Sequence, residues 1–258
     1  MSNIILTEFS TTQISAFRIA CEVIDNLVHD VNLEVSADGI RIRETDSSGY
    51  LFLSVWFSSG NFEVYNYLSD QPKFDVGIDI GSIVTSLTQR LRYDTLRFKV
   101  YSDLSIRLEL ESYKRDEIKR VILKKVDTLV GMTGSIIPCQ YSHSVTLSSE
   151  LFSKYCKDIM RTSGMLVLRL NAHKLIICSE DEGLEYSING NSKHNLQIIL
   201  DFSENTLDFV VDKLPSKYFS ILSKLSNISE LVTIMIGGNP TMLKYNLGSL
   251  GELKLVLF

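Results

Sequence analysis

A single order of sequence elements occurs twice along this chain, and this repeat limits the folds that the chain can adopt. In each half a helical pattern comes before two strand-like runs and a turn, and a second helical pattern follows before the last strands. The stretches LEVSADGIRIR and IICSEDEGLEY occupy the same place in the two halves, at a displacement of about 140 residues. The repeat predicts two α+β units of the same plan.

Apolar residues at helical spacing mark the helices of both halves. The predicted helices are 11–28, 79–93, 148–162 and 215–226. The apolar stripe of the first is Phe17, Cys21, Ile24 and Val28, and that of the third is Leu151, Tyr155 and Ile159.

The segment Lys124–Gln140 joins the two halves and shows no clean helical or strand period. It has two glycines and one proline, yet its many aliphatic residues make it too apolar for a disordered linker. Two interpretations stay open, namely a strip on which partners dock or a connector that packs onto the domains. The predicted division is an N-terminal domain at 1–123, an interdomain connector at 124–140 and a C-terminal domain at 141–258.

Composition argues against several classes of protein. The 258 residues are 45% hydrophobic and 22% charged, which is ordinary globular usage. No apolar run approaches the roughly 18 residues that a bilayer span needs, and the N-terminus lacks a basic segment followed by an apolar one. We therefore expect a soluble chain that is not secreted. The four cysteines form no CxxC pair and no cluster with the histidines, so no metal, cofactor or disulfide framework is expected.

One motif resembles that of an enzyme. VGIDIGSIVTSL, Val76 to Leu87, is similar to the first phosphate-binding stretch of the actin, hexokinase and heat-shock ATPases. Apolar residues at helical spacing follow its glycine, however, and several strands come before it, whereas in those ATPases it opens the chain. The better interpretation is that Asp79 or Ser82 caps a helix N-terminus. No other catalytic motif occurs, so no catalytic residue is assigned and the chain is not predicted to be an enzyme.

Charge is distributed unevenly between the predicted helices and the rest of the chain. The whole chain has 26 Lys and Arg against 31 Asp and Glu, a net charge of −5. The four helical segments, with the last counted from Lys213, hold nine bases and five acids, whereas the remainder holds 17 bases and 26 acids. Lys154, Lys157 and Arg161 share one helix face. Positive helices on an otherwise acidic chain are typical of a protein that faces a phosphate backbone on one side. The alternative interpretation of these lysines and arginines is an ordinary solvated polar face.

Together these features resemble proliferating cell nuclear antigen, the DNA sliding clamp family. SADGIRIRETDSSGYLFLSVWF is similar to the family's turn, strand, Met-Asp-Ser-Ser and strand. LSSELFSKYCKDIMRTSG is similar to its second-domain helix, and VTIMIGGNPTMLKYNLGSLGELKLVLF to its closing strands. The resemblance covers essentially the whole chain. It implies the DNA clamp fold, in which each α+β chain has two duplicated clamp domains and three chains form a ring, with helices inside and β-sheets outside.

The resemblance implies a processivity factor that encircles duplex DNA without sequence specificity and tethers polymerase and other replication and repair proteins. The implied partners are double-stranded DNA, a clamp loader and two further copies of the chain, in the nucleus or at a viral replication site. The implied DNA-binding residues are Arg18, Arg90, Arg92, Lys154, Lys157, Arg161, Lys213, Lys217 and Lys224. Ring closure is expected to pair an edge strand near 116–123 with one near 195–200 of the neighbour.

In this family, partners insert a short aromatic-bearing motif beneath the interdomain connector. The matching pocket residues are Thr45, Gly49, Tyr50, Val130, Met132, Pro240, Val256 and Phe258. Thr45 stands where the family has methionine and Gly49 where it has histidine, so we expect a pocket with an altered motif preference. The loop Asp46-Ser47-Ser48-Gly49 is expected to connect two strands tightly and to form the floor of this pocket.

Two other functions stay open at the level of the sequence. The chain could be one subunit of a heterotrimeric checkpoint clamp, or a viral processivity factor that acts as a monomer or dimer. The mass of the protein in solution distinguishes these alternatives from a homotrimer.

Overall fold

The structure is a computed structural model of the 258-residue chain. It describes residues 4–88, 93–127, 141, 143–171, 173–181, 183–189, 197–200, 210–237 and 240–258. The chain forms two compact units. Unit 1 contains Met1–Ser47, Ser54–Gly134 and Leu247–Glu252, and unit 2 contains Ser48–Leu53, Ser135–Asn246 and Leu253–Phe258.

The described part of the first half of the chain contains nine strands and two helices. The strands are β1 (Ile5–Thr11), β2 (Asp30–Ser36), β3 (Gly39–Thr45), β4 (Leu51–Ser58), β5 (Val64–Tyr67), β6 (Lys73–Asp79), β7 (Thr95–Tyr101), β8 (Ile106–Ser112) and β9 (Glu117–Ile122). The helices are α1 (Ile14–Leu27) and α2 (Ile80–Ser86). One antiparallel sheet has the order β5-β1-β7-β8-β9, and β4, β3, β2 and β6 are neighbours in that order in another.

Helix α1 buries the apolar stripe that its sequence predicts. Phe17, Cys21 and Ile24 are each at most 4% exposed, so the 3.6-residue period of these positions is confirmed. The ring of Phe17 lies 5.5 Å from that of Phe57 on β4 and 5.9 Å from that of Phe98 on β7, measured between centroids. The stripe therefore packs α1 against strands of unit 1.

Glu109 on β8 is the most buried member of a network of charges on the five-stranded sheet. Its carboxylate is 6% exposed, and it accepts hydrogen bonds from Lys99 Nζ at 2.8 Å and Arg120 Nε at 3.1 Å. Burial alone would raise the pKa of Glu109, but the hydrogen bonds and charges of Lys99 and Arg120 outweigh it and hold this pKa below its ordinary value. The charged form of Glu109 therefore stabilises the folded state.

Replacing Glu109 with glutamine is expected to lower the free energy of unfolding by about 2 kcal/mol at pH 7, because two charge-assisted hydrogen bonds lose their carboxylate. The pKa of Glu109 is lower in the folded than in the unfolded state. Its contribution is therefore present above the unfolded pKa and is lost as the pH falls through the folded pKa. Urea unfolding of the wild type and of Glu109→Gln between pH 7 and pH 3 measures this contribution. The free energies of unfolding of the two proteins should converge towards pH 3.

The matched control for this prediction is Glu180→Gln. Glu180 forms an ion pair with Lys213, with 3.0 Å between Oε1 and Nζ, but the two side chains are 48% and 57% exposed. Removing this exposed pair should change stability by less than about 1 kcal/mol. Equal losses in the two variants would show that burial does not set the contribution of Glu109.

The described part of the second half also contains nine strands and two helices. The strands are β10 (His143–Ser148), β11 (Met165–Leu170), β12 (Lys174–Ser179), β13 (Glu185–Asn189), β14 (Gln197–Leu200), β15 (Val210–Pro215), β16 (Leu231–Ile236), β17 (Thr241–Asn246) and β18 (Gly251–Leu257). The helices are α3 (Ser149–Met160) and α4 (Lys217–Leu222), and a 3-10 helix at Ser223–Asn227 follows α4. One sheet has the order β13-β12-β11-β15, and β14, β10, β16, β17 and β18 are neighbours in that order.

The described strands and α-helices follow the same order in the two halves, namely strand, helix, five strands, helix and three strands. The described part of the chain is mostly β-sheet with few helices, which is consistent with the α+β prediction. Helices α1 and α3 lie inside the predicted ranges 11–28 and 148–162. The predicted division at 1–123, 124–140 and 141–258 stays a prediction.

The later helices differ from their predicted ranges. Helix α2 ends at Ser86, and the predicted range continues into residues 89–92, outside the described part of the chain. Asp79 occupies the N-cap position of α2, but its carboxylate accepts a hydrogen bond from the Ser82 hydroxyl at 3.0 Å and caps no backbone N–H. Lys213 and Pro215 lie on β15, which pairs with β11 through Lys213 and Val167, so the assignment of Lys213 to the last helix is wrong.

Candidate nucleic-acid interface

Helix α3 presents two lysines on the side opposite its buried stripe. The Ser148 hydroxyl accepts a hydrogen bond from the Leu151 N–H at 3.4 Å and so caps the helix N-terminus. Phe152, Cys156 and Ile159 are buried at spacings of four and three residues, whereas Leu151 and Tyr155 of the predicted stripe are only half-buried. On the opposite face Lys154 and Lys157 are exposed. The sequence therefore forms an amphipathic helix with a cationic outer face.

Ion pairing divides the predicted DNA-binding residues into two groups. Within the described part of the chain, Lys154, Lys157 and Lys217 form no ion pair and are exposed. By contrast, Arg161 lies 3.6 Å from Asp158, and Lys213 lies 3.0 Å from Glu180. These three lysines therefore carry positive charge that no neighbouring carboxylate among the described residues matches.

Arg18 on α1 is more enclosed than the lysines of α3. Its side chain is 20% exposed and forms an ion pair with Glu22, one helical turn further on. Its Nε atom is buried and has no hydrogen-bond partner among the described residues. Arg18 therefore offers a phosphate less accessible charge than Lys154 or Lys157 does.

The remaining predicted cations lie on or beyond the second helix of each half. Lys217 opens α4, and its Nζ lies 4.7 Å from the centroid of the Tyr218 ring. Lys224 is half-buried on the 3-10 helix that follows α4. Arg90 and Arg92 lie outside the described residues.

Two predicted pocket residues of unit 2 have exposed aromatic side chains and neighbouring backbones. Tyr50 is 57% exposed and Phe258 is 56% exposed. The Phe258 N–H donates to the Tyr50 carbonyl at 3.0 Å, so the backbones of the two residues are neighbours. Val256 and Pro240 are buried, so they do not present side chains to solvent. Thr45 is exposed and belongs to unit 1, whereas Val130 and Met132 lie outside the described residues.

The Asp46-Ser47-Ser48-Gly49 loop ends in a turn that needs its glycine. Gly49 has φ +73°, a left-handed conformation that glycine adopts without a Cβ penalty. The Ser48 hydroxyl lies 3.2 Å from the Tyr218 hydroxyl of α4. No sequence pattern indicates a role for Tyr218. A tyrosine among the buried positions of a helix does signal that its hydroxyl needs a polar partner, but the signal does not say which one.

Several known proteins are similar to this chain along nearly its whole length, although no family model matches it. A probable DNA polymerase sliding clamp of Paramecium bursaria Chlorella virus 1 is 22% identical over 263 residues, covering 98% of this chain and 96% of that protein. The proliferating cell nuclear antigen of Dictyostelium discoideum is 23% identical over 259 residues, covering 93% and 94%. That of Chaetomium thermophilum is 25% identical over 273 residues, covering 98% and 97%. The resemblance to the DNA sliding clamp family is confirmed.

Metal sites and membrane-spanning helices are two other features that bear on function. No group of three or more His, Cys, Asp or Glu side chains within the described ranges is placed to hold a metal ion. Among the same residues, no helix has the length and apolarity that crossing a bilayer requires. Cys21, Cys156 and Cys178 are buried thiols, and burial raises the pKa of the Cys156 thiol well above its ordinary value. These three cysteines are packed as small apolar side chains.

Proposed function

We propose that this chain is a DNA sliding clamp, a processivity factor that encircles duplex DNA without sequence specificity and tethers DNA polymerase and other replication and repair proteins. The observation that carries the proposal is the similarity to three proteins named as sliding clamps or proliferating cell nuclear antigen over at least 93% of this chain. The proposed role is that of a tether, and the chain itself performs no chemistry.

The exposed lysines of α3 and α4 support contact with DNA. Lys154, Lys157 and Lys217 are cations without an ion pair among the described residues, and lysine meets a phosphate as a point charge. Phosphate contacts position a protein on the duplex but carry no sequence information. Contacts of this kind are individually weak and salt-sensitive, so they permit sliding along the duplex.

The repeated order of elements supports a ring of three chains with six clamp domains. In the sheet β5-β1-β7-β8-β9, strand β9 is an edge, and two of its side chains, Ile118 and Ile122, are 48% and 72% exposed. An edge strand with exposed apolar residues needs cover, which a strand of a neighbouring chain would supply. We propose that β9, at the predicted range 116–123, forms the contact. The predicted partner range 195–200 includes β14, which pairs with β10 along one of its sides.

Partner docking is proposed at the exposed pair Tyr50 and Phe258. Their aromatic side chains suit a partner motif that is itself aromatic, because such rings bury large apolar areas. Thr45, Gly49, Val130, Met132, Pro240 and Val256 stay proposed members of the same pocket. A clamp loader and a nuclear or viral site of replication belong to the same proposal.

The mass of the protein in solution tests the ring. Light scattering at micromolar concentration should give about three times the 29.2 kDa of one chain. A primed circular template should then yield longer polymerase products with the protein than without it. A monomer that trimerises only with other chains would favour a checkpoint clamp subunit, and a dimer or monomer that still extends the products would favour the viral type of processivity factor.

A further inference from the structure

Residues Ser48 to Tyr50 are tied to the rest of unit 2 at both ends. At one end the Ser48 hydroxyl lies 3.2 Å from the Tyr218 hydroxyl. At the other end the Tyr50 carbonyl accepts a hydrogen bond from the Phe258 N–H at 3.0 Å. The short segment that carries the exposed Tyr50 side chain is therefore held at both ends.

Packing alone does not hold the middle of this segment. Gly49 has no side chain, and a Cβ built on it would find no heavy atom within 4 Å. Its φ of +73° is one of several conformations that glycine adopts readily in a free chain. The hydrogen bonds at Ser48 and Tyr50 therefore help to restrict where the segment lies.

Tyr218 is a rigid anchor for the first of these bonds. Its side chain is 4% exposed, and the next residue on α4, Phe219, is 1% exposed and meets Phe152 of α3 edge to face at 5.7 Å between centroids. A tyrosine ring has only two side-chain torsions, so packing of the ring fixes the position of its hydroxyl. The phenol oxygen can thus hold Ser48 in one place.

We propose that Tyr218 is a positioning residue for partner docking: its hydroxyl fixes Ser48 and thereby holds Tyr50 beside Phe258 in the arrangement that receives a partner's aromatic motif. The inference rests on the proposed function, since it assigns Tyr218 a part in the docking surface proposed for Tyr50 and Phe258. The physical basis is pre-organisation, because a loop that is already ordered loses less conformational entropy on binding.

The variants that test this are Tyr218→Phe, Ser48→Ala and their combination. Tyr218→Phe keeps the buried ring and the surface beneath Lys217 and removes only the hydroxyl. The probe is a short fluorescent synthetic peptide with two adjacent phenylalanine residues. Ser47→Ala removes a neighbouring loop hydroxyl, and Tyr186→Phe removes a tyrosine hydroxyl that donates to Asp158 at 2.8 Å, so these two variants serve as matched controls.

We expect each test variant to bind the peptide about threefold to tenfold more weakly, with the double variant no weaker than either single one, because both remove the same bond. The loss should appear in the association rate, since fewer molecules are in the competent arrangement, whereas loss of a direct peptide contact would appear in the dissociation rate. Ser47→Ala, Tyr186→Phe and the wild type should bind alike.

Two results would overturn the inference, and they have different meanings. Wild-type affinity in Tyr218→Phe, alongside clear loss in Tyr50→Ala, would show that the docking surface is real but that Tyr218 does not position it. No peptide binding by the wild-type protein would remove the proposed docking surface itself, and the inference with it.

Discussion

Reversing Lys154 and Lys157 to glutamate is expected to shorten polymerase products on primed circular DNA and to weaken binding of the protein to linear duplex by about tenfold or more. The two lysines are exposed on α3 and form no ion pair among the described residues, so their charge is available to phosphates. Each lost phosphate contact should also make the dependence of log K on log salt shallower by about 0.9. Titrations between low and moderate salt, and product lengths from a single loading event, measure both effects.

The control for the double reversal changes the same number of charges elsewhere. Lys114 and Lys124 are exposed residues of unit 1 that lie outside the proposed DNA-binding set. Reversing both gives the same net charge, so a general effect of charge would appear equally in the two proteins. Light scattering of both variants confirms that assembly is intact. An unchanged salt slope and unchanged product length in Lys154→Glu/Lys157→Glu would exclude α3 from the DNA-binding surface.

The sequence predicted best those features that depend on residues close together in the chain. The periods of α1 and α3 are set by apolar residues three and four positions apart, and both helices lie within the predicted ranges. The ion pairs of Arg18 with Glu22 and of Arg161 with Asp158 also span four and three residues. Their spacing could have been used to predict that these two arginines are partly neutralised.

Features that depend on residues far apart could not be predicted in the same way. Lys213 and Pro215 precede a helix, and proline is common in the first turn of helices, so the sequence favoured helix for both. Pairing of β15 with β11 instead makes them part of a strand. The contact between Ser48 and Tyr218 joins residues 170 positions apart, and no local pattern indicates it.

The two glycines that the repeat places in equivalent turns also have different surroundings. Gly39 follows Asp38 between β2 and β3, and Gly183 occupies the corresponding turn before β13. Gly39 has φ +144°, and a Cβ on it would lie 2.1 Å from the Phe57 carbonyl oxygen. A Cβ on Gly183 would lie 3.7 Å from its nearest neighbour, an Asp181 oxygen, which is ordinary contact. Of the two turns, only the one at Gly39 therefore lacks space for a side chain.

Replacing Gly39 with alanine is expected to lower the free energy of unfolding by about 4 kcal/mol, because the new methyl group would combine backbone strain with a clash against backbone atoms that cannot rotate away. The Ser59 N–H, which donates to the Asp38 carbonyl at 2.8 Å, would lie 3.0 Å from the same methyl group, so relief of the clash would disturb this hydrogen bond as well. Urea unfolding of the purified variants measures the loss. Gly183→Ala is the matched control and should change stability by no more than about 0.5 kcal/mol. Similar losses in both variants would show that the difference between the two turns does not control stability.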